Sequence, residues 1–319
     1  MTTQPYVSVV IPTYNHAMLL KKALDSVVAQ TFEDWEAIVV NNFSTDNTIE
    51  VVNSFDDPRI KIFNFSNNGV IAASRNHGLK EAHGDFIAFL DSDDVWYPNK
   101  LQKCVEQASA GYQFICHGEL WINSDLTQRQ VMYGPASSAT YKRLLYKGNC
   151  ISTSTTFIAK SLLNSVQGFD ESPKIITTED YDLWMRLAAK NPRTVFIPEV
   201  LGEFHRLAES ASSSVLRNFA AELTVLRTHF DAQPRTFINR LRMRNRYAIA
   251  HYGAARQMTN QPGQAIRLFT KSFCLSPFFI KIYLGVVITL WRAITTRKNK
   301  ESKISTDSHG SKSEGRTAK

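Results

Sequence analysis

GDFIAFLDSDDVWYPNK, residues 84–100, reads as a glycine turn, an apolar strand and a crowd of acids where that strand ends. Phe86 to Leu90 is an apolar run without alternation, which suits a central strand covered on both faces. Asp91, Asp93 and Asp94 follow at once. In an open α/β sheet, ligands bind in the crevice outside the carboxyl ends of the strands, where these acids fall. Carboxylates this close repel each other unless a cation or hydrogen-bond donors compensate, and oxygen ligands suit Mg²⁺ or Mn²⁺. Spacing leaves two readings open. Asp91 and Asp93 form a metal-diphosphate site, or the acids form a turn in which Asp94 caps a helix starting near Pro98.

Working outward, Val7 to Ile11 is a β-branched run that Pro12 stops, and Pro12-Thr13-Tyr14-Asn15 follows as a loop. Helical spacing marks Ala17 to Gln30. Ala37 to Val40 is the next strand, closed by Asn41 to Asn47, with a helix to about Phe55. Ile60 to Phe65 is a third strand, and a helix from Ile71 to Ala82 leads back to residues 84–100. Strands alternating with helices predict βαβ units and a parallel sheet. Parallel strands bring their carboxyl ends together, so Thr13 to Asn15 and Asn41 to Asp46 share a crevice with the acids. Tyr14 can stack on a base there, and the Asn42 amide oxygen can accept the N3 hydrogen of a uracil or thymine ring, although both residue types are also ordinary in turns. The first strand is followed by no Gly-x-Gly-x-x-Gly and the chain has no P-loop, which argues against a dinucleotide-binding dehydrogenase and a P-loop enzyme.

Further on, Cys150 to Ala159 predicts a strand, Lys160 to Val166 a short helix, and Gly168-Phe169-Asp170 a turn. Thr178-Glu179-Asp180 is helix-starting chemistry, a hydroxyl cap with acids at the positive end of the dipole. Leu183, Trp184 and Leu187 form an apolar stripe. A first-turn carboxylate there either stabilises the helix or faces the crevice as a general base.

Together these pieces resemble the family 2 glycosyltransferases of the bacterial polysaccharide-biosynthesis type, inverting enzymes of the GT-A fold. The matching segments run from Val7 to about Ser212: VSVVIPTYN, SVVAQTFEDWEAIVVNNFSTD, ASRNHGLKEAHGDFIAFLDSDD, VQGFDES and TEDYDLWMRLA. The resemblance implies a Rossmann-like mixed, mainly parallel sheet flanked by helices. It implies a nucleotide-sugar donor, expected to be UDP-linked, and a hydroxyl acceptor on a glycan or lipid-linked saccharide of the cell envelope. It also implies donor binding at Pro12, Thr13, Tyr14, Asn42, Arg75, Asn76, Asp91, Glu179 and Trp184. A divalent metal, Mn²⁺ or Mg²⁺, would sit on Asp91 and Asp93, with Asp93 the direct ligand, and Asp180 would be the catalytic base.

Two positions depart from the family pattern. Asn41-Asn42 stands where two aspartates are usual, and Phe204-His205-Arg206-Leu207 aligns with Tyr-Arg-x-His, so leucine replaces histidine ahead of Ser210 and Ser212. His205 or Arg206 is then the candidate to compensate. These departures define the alternative, a sugar-nucleotide-binding or scaffolding protein without turnover. The acceptor pocket is expected in variable loops such as Gly118 to Gly148.

The net charge of +8 is unevenly spread: residues 1–205 carry −6, residues 206–296 carry +10 and residues 297–319 carry +4. Domains are expected at 1–212 (transferase), 213–296 (basic helical extension) and 297–319 (disordered basic tail). AIRLFTKSFCLSPFFIKIYL, residues 265–284, resembles the second helix of a tetratricopeptide repeat and predicts a helical hairpin. Ile282 to Trp291 is uncharged but short for a span, with Lys281, Gly285, Thr289 and Arg292 on one face. It is either a core helix or an interfacial one, with Trp291, Arg292, Arg297 and Lys298 at an anionic membrane surface. Nucleic acid is not an expected partner, since no known module is present. Four scattered cysteines imply neither a zinc site nor a disulfide framework, and the N-terminus lacks an export signal. The expected location is cytoplasmic, peripheral on the cytoplasmic face of the membrane.

Overall fold

The computed structural model describes residues 4–206, 214–258 and 261–289. Its elements run β1 (Val7–Thr13), α1 (Ala17–Val28), β2 (Trp35–Asn41), α2 (Thr48–Asn53), β3 (Ile60–Asn64), α3 (Ile71–Glu81), β4 (Phe86–Phe89), β5 (Val95–Trp96) and α4 (Lys100–Ser109). There follow β6 (Phe114–Asn123), β7 (Gln128–Val131), α5 (Tyr141–Lys147), β8 (Phe157–Ala159), α6 (Lys160–Asn164), α7 (Glu179–Ala189), β9 (Thr194–Arg206), α8 (Val215–Asp231), α9 (Phe237–Gln257) and α10 (Pro262–Leu275). Residues 281–289 are also helical.

The strands form one mixed sheet in the order β3-β2-β1-β4-β8-β6-β9-β5, with β7 paired to β6. Its long ladders are parallel: β1 with β2, β2 with β3, β1 with β4, and β6 with β9. Shorter antiparallel pairings join β4 to β8, β8 to β6, and β5 to β9. Every residue of β1 and β2 is buried, as the unalternating apolar runs predict for strands covered on both faces. One large core packs α1 and α4 against this sheet, from Leu20 and Leu24 to Leu101 and Cys104.

The described chain falls into two compact units. The first comprises the residues up to Ser214 with Ala220–His229, and the second comprises Val215–Phe219 with the chain from Phe230. Within the first, His229 Nε2 lies 3.0 Å from Asp182 Oδ1, which pins the α8 segment to α7. Within the second, α9 and α10 form the expected hairpin around Ala254, Ala265, Leu268 and Phe269. Among the described residues no helix is long and apolar enough to cross a membrane.

Three local expectations are corrected. Only Phe157–Ala159 of the Cys150 to Ala159 stretch is a strand, because Thr153–Thr155 closes into a 3₁₀ turn. There the Thr155 and Thr156 hydroxyls donate to the carbonyls of Ser152 and Thr153, local bonds that compete with a ladder. Residues 118–148 are not a loop: they carry most of β6, all of β7 and α5. Asp94 caps no helix, since α4 begins at Lys100 and Asp94 is held elsewhere.

β4 enters the sheet through a close backbone approach. Gly84 N donates to Ser8 Oγ at 2.8 Å, and a Cβ at Gly84 would lie 2.6 Å from Ser8 N and 2.7 Å from the Val7 carbonyl carbon. Since backbone cannot step aside as a flexible side chain would, Gly84→Ala should cost about 1–3 kcal/mol in urea unfolding. A change below about 0.5 kcal/mol, typical of unconstrained surface sites, would contradict this close packing.

Candidate active site

The acids at the end of β4 meet three different fates. Asp94 is 1% exposed and accepts from Ser154 Oγ at 2.5 Å and from the His205 backbone N–H at 3.1 Å. Burial, then the neighbouring Asp93 and Asp91, push its carboxyl well above the usual range. Ser154 Oγ also accepts from Asp91 N at 3.1 Å, so one hydroxyl ties both ends of the acidic turn. Asp91 turns instead toward Arg75, whose Nη2 reaches its Oδ1 at 2.7 Å. Asp93 is half-buried, and desolvation, then the charge of Asp91, raise it to about 6 while His16 and His205 pull the other way.

Downstream of the acids the turn is clamped to α1. Ser26 Oγ accepts from Trp96 N, and the buried Gln30 amide donates to Tyr97 O and accepts from Leu101 N. Trp96 Nε1 donates to Ser154 O, and Lys100 Nζ lies 3.3 Å from the centre of a Trp96 ring. The strand end thus presents its carboxylates on a fixed frame.

Arg75, on α3, is the hub. Its Nη1 donates to Glu179 Oε1 at 2.7 Å while Nη2 holds Asp91, and the whole residue is only 3% exposed. The two carboxylates drive its pKa up against the opposing effect of burial. This fork on α3 joins the end of β4 to the first turn of α7, and its longer arm, Arg75 to Glu179, spans 104 residues of sequence. Asp180 follows Glu179, half-buried, and accepts from Tyr181 N at 2.7 Å. Burial first, then Glu179, raise Asp180 to about 7, with Arg75 opposing and Asp91 adding. Asp93 and Asp180 both feel the charge of Asp91, and the Arg75 fork ties Asp91 to the helix turn that carries Asp180, so the three carboxylates share one electrostatic neighbourhood.

The β1 and β2 loops border it as the parallel topology requires. Asn15, at φ 52°, accepts from Thr45 N through its side chain and donates its own N–H to Ser44 Oγ, which laces the two loops together. Asp46 Oδ2 accepts from Ala17 N at the start of α1. Pro12 and Thr13 are buried at the end of β1, with Thr13 Oγ1 buried and unpaired, while the Tyr14 ring is 53% exposed. Asn41 is fully buried, donating to Asn64 Oδ1 and accepting from Ser44 N, so it holds the loop. Asn42 Oδ1 already accepts from Asn67 N at 3.0 Å, which leaves one lone pair where base recognition was expected.

Other expected residues serve different ends. Asn76 Nδ2 donates to Phe169 O and Glu171 Oε1, and its Oδ1 accepts from Phe169 N. It therefore grips the 168–171 turn, where Gly168 at φ +69° has no room for a Cβ, which would sit 2.5 Å from Asn76 Oδ1. Trp184 is fully buried against Phe114 and Phe169 and cannot line a ligand site, which corrects its expected role. Thr178 does not cap α7 with its side chain, which donates to Ile175 O. Leu207, Ser210 and Ser212 lie outside the described residues.

Three contributors have no counterpart among the residues expected from sequence. His16 Nδ1 lies 3.1 Å from Ser92 Oγ, and its ring faces the field of Asp93. Ser154 holds the acidic turn. Glu119, 1% exposed on β6, accepts from Tyr133 and Ser152, and burial raises it to about 7. A hydrophobic strand carrying one buried glutamate was the available signal for Glu119.

A divalent cation fits Asp91 and Asp93 chemically. Both are oxygen donors, Asp93 is an under-compensated carboxylate, and Mg²⁺ is commonly bound by one or two carboxylates with substrate phosphates completing its shell. Among the described residues no group of three His, Cys, Asp or Glu side chains is placed to hold a metal ion by itself.

Two outcomes are expected from this electrostatics. Asp93, Glu119 and Asp180 hold protons more tightly folded than unfolded, so their contribution to stability is lost as pH rises through about 6 to 7. The melting temperature without metal or nucleotide should fall between about pH 5 and 7.5, and Asp180→Asn should flatten the slope; a rising curve would contradict the assignment. Arg75→Met strands the buried Glu179 carboxylate and the half-buried Asp91 and should cost about 3–5 kcal/mol in denaturant unfolding, with a neutral result sinking the hub.

The family model described as glycosyl transferase family 2 matches residues 8–166. The UDP-Glc:alpha-D-GlcNAc-diphosphoundecaprenol beta-1,3-glucosyltransferase WfgD of Escherichia coli is 33% identical over 211 residues, 65% of this chain and 79% of that one. The putative teichuronic acid biosynthesis glycosyltransferase TuaG of Bacillus subtilis is 31% identical over 216 residues, covering 66% and 83%. Among solved structures, S. aureus TarS 1-349 in complex with UDP-GlcNAc superposes with a TM-score of 0.62 at 21% identity over 92% of each chain. The mannosyltransferase PcManGT from Pyrobaculum calidifontis, in complex with GDP-Man and Mn²⁺, gives 0.58 at 17% identity, covering 95% and 89%. The fold is the GT-A architecture of these transferases.

Proposed function

From the premise that this chain belongs to glycosyl transferase family 2 and is a glycosyltransferase, we propose that it moves a sugar from a nucleotide-diphosphate donor to an acceptor hydroxyl with inversion at the anomeric carbon. The proposed donor is UDP-linked, and the acceptor is a glycan or lipid-linked saccharide of envelope polysaccharide synthesis at the cytoplasmic face of the membrane. The names of WfgD and TuaG and the UDP-GlcNAc complex of TarS support that choice of substrate class. The carrying observation is the Arg75 fork, which at 2.7 Å on each arm ties Asp91, two residues before Asp93, to Glu179, which adjoins Asp180.

The roles follow from position. Asp93 and Asp91 would hold the divalent cation, and Arg75 fixes the orientation of Asp91. When bound, that cation neutralises charge developing on the departing nucleoside diphosphate. Pro12, Thr13, Tyr14 and Asn42 border the nucleoside, with the Tyr14 ring free to stack on the base. Asp180 Oδ takes the proton of the acceptor hydroxyl as its oxygen attacks the anomeric carbon, and the C–O bond to the diphosphate breaks on the opposite side. A base is most effective with a pKa near the working pH, which is where burial and Glu179 put Asp180. Glu179 and Asn76 are positioning residues, one fixing Arg75 and the other the 168–171 turn.

Asp180→Asn should lower kcat by about 10²- to 10⁴-fold while leaving donor affinity nearly unchanged. Asp93→Ala should lose metal-dependent donor binding. In the wild type, kcat/KM should rise with pH and level off above about 7, as the base ionises. Equal loss of donor affinity in both variants, or a rate independent of pH from 5 to 8, would refute these roles.

A further inference from the structure

Residues 232–289 carry nine Lys and Arg and not one Asp or Glu. All nine except Arg246 are exposed. A stretch of one sign this uniform is built toward an anionic partner. The same stretch also exposes large apolar side chains, and these cluster at one end. α9 and α10 run antiparallel, with Ser272 Oγ donating to Ala248 O, Arg244 Nη2 to Cys274 O, and Ser276 Oγ to Asn245 Oδ1. α10 therefore ends beside Asn245, and the eight residues of α9 before it project about 12 Å farther. On that projection Phe237 is 75% and Leu241 48% exposed.

Beside it the chain turns through 276–280, where Phe278 is 92% and Ile280 79% exposed. The turn is ordered: Phe279 N donates to Ser276 O, Tyr283 N to Ile280 O, and Tyr283 OH to Pro277 O. It leads into helix 281–289, on which Lys281 is exposed, Gly285 buried and Thr289 half-buried. Gly285 faces inward, where a Cβ would meet the Phe269 ring at 2.7 Å, and Ile282 is buried. The outward stripe is Ile280, Leu284 and Val287, spaced four and three residues apart. Trp291, Arg292, Arg297 and Lys298 lie outside the described residues.

We propose that this end of the helical unit docks on an anionic lipid surface, with Phe278, Ile280 and Leu284 entering the headgroup boundary beside Phe237 and Leu241. Arg240, Arg244 and Lys281 meet the lipid phosphates around them. A projecting tip of bulky apolar side chains set among exposed cations is the arrangement by which interfacial segments bind membranes without spanning them. The absence of acids across 58 residues favours lipid over a protein surface of mixed charge. This deepens the membrane-face placement proposed above, but its test reads lipid binding and not sugar transfer.

The test is flotation of the full chain with phosphatidylcholine vesicles, with and without phosphatidylglycerol. Wild type should float only with the anionic vesicles, and raised salt should release it. Phe278→Glu with Ile280→Glu, both at exposed positions, should lower the partition coefficient about tenfold or more, and so should Arg240→Glu with Lys281→Glu. Both variants should bind donor nucleotide as wild type does, which separates loss of docking from loss of the transferase site or of the fold. Equal flotation of wild type and the Phe278 and Ile280 variant would overturn the proposal. So would wild type that stays in the bottom fraction with both vesicles, or self-association of the free chain that these substitutions abolish, since the tip would then be an interface between copies.

Discussion

The buried fork of Arg75 is the constraint on which the site depends. A guanidinium at this depth is costly to desolvate, and it stays charged because Asp91 and Glu179 each accept from it at 2.7 Å. Those two contacts neutralise one positive charge with two negative ones, and Asp93 and Asp180 add two more carboxylates within the same field. The crevice therefore carries surplus negative charge by construction. In the free protein the surplus is relieved by protons held at raised pKa. In the proposed mechanism a cation held with the donor diphosphate would relieve it in another way, so the same electrostatics would favour both metal binding and an acceptor base.

Three acids within four residues acquire three separate environments because different elements reach each of them. β9 supplies the His205 N–H to Asp94, the 3₁₀ turn before β8 supplies Ser154, and α3 supplies Arg75 to Asp91. Among the described residues no other element supplies Asp93 with a comparable partner. The mixed sheet makes this division, since the antiparallel insertion of β8 between β4 and β6 carries the Ser154 turn to the carboxyl end of β4. A wholly parallel sheet would leave that edge to another strand–helix loop.

Much of the parallel half was legible in the sequence. Continuous apolar runs marked β1, β2 and β4 because strands buried on both faces have no polar alternation to keep. The helical spacing of Leu20, Ala23, Leu24, Val27 and Val28 marked α1, and all of these but Val28 are buried. The second half was less legible. The Ser- and Thr-rich stretch before β8 satisfies its own carbonyls, and β6 with β7 forms where a loop was expected. At the site, aspartates at a strand end announced themselves, but partner choice did not. The amides of Asn42 and Asn76 bind neighbouring backbone, and Trp184 serves the core, because a side chain's hydrogen bonds depend on what the tertiary fold brings beside it. His16 and Glu119 passed unnoticed for the same reason: their environments arise from chain segments distant in sequence.

The central claim is that surplus carboxylate charge at the end of β4 creates a cation-dependent nucleotide site. Calorimetric titration of the purified chain with UDP, dTDP and GDP, each with and without Mn²⁺, tests it most directly. The account predicts that UDP binds, that Mn²⁺ strengthens its binding at least tenfold, and that GDP binds more weakly. UDP binding of equal strength with and without Mn²⁺, or no binding of any of the three, would contradict it.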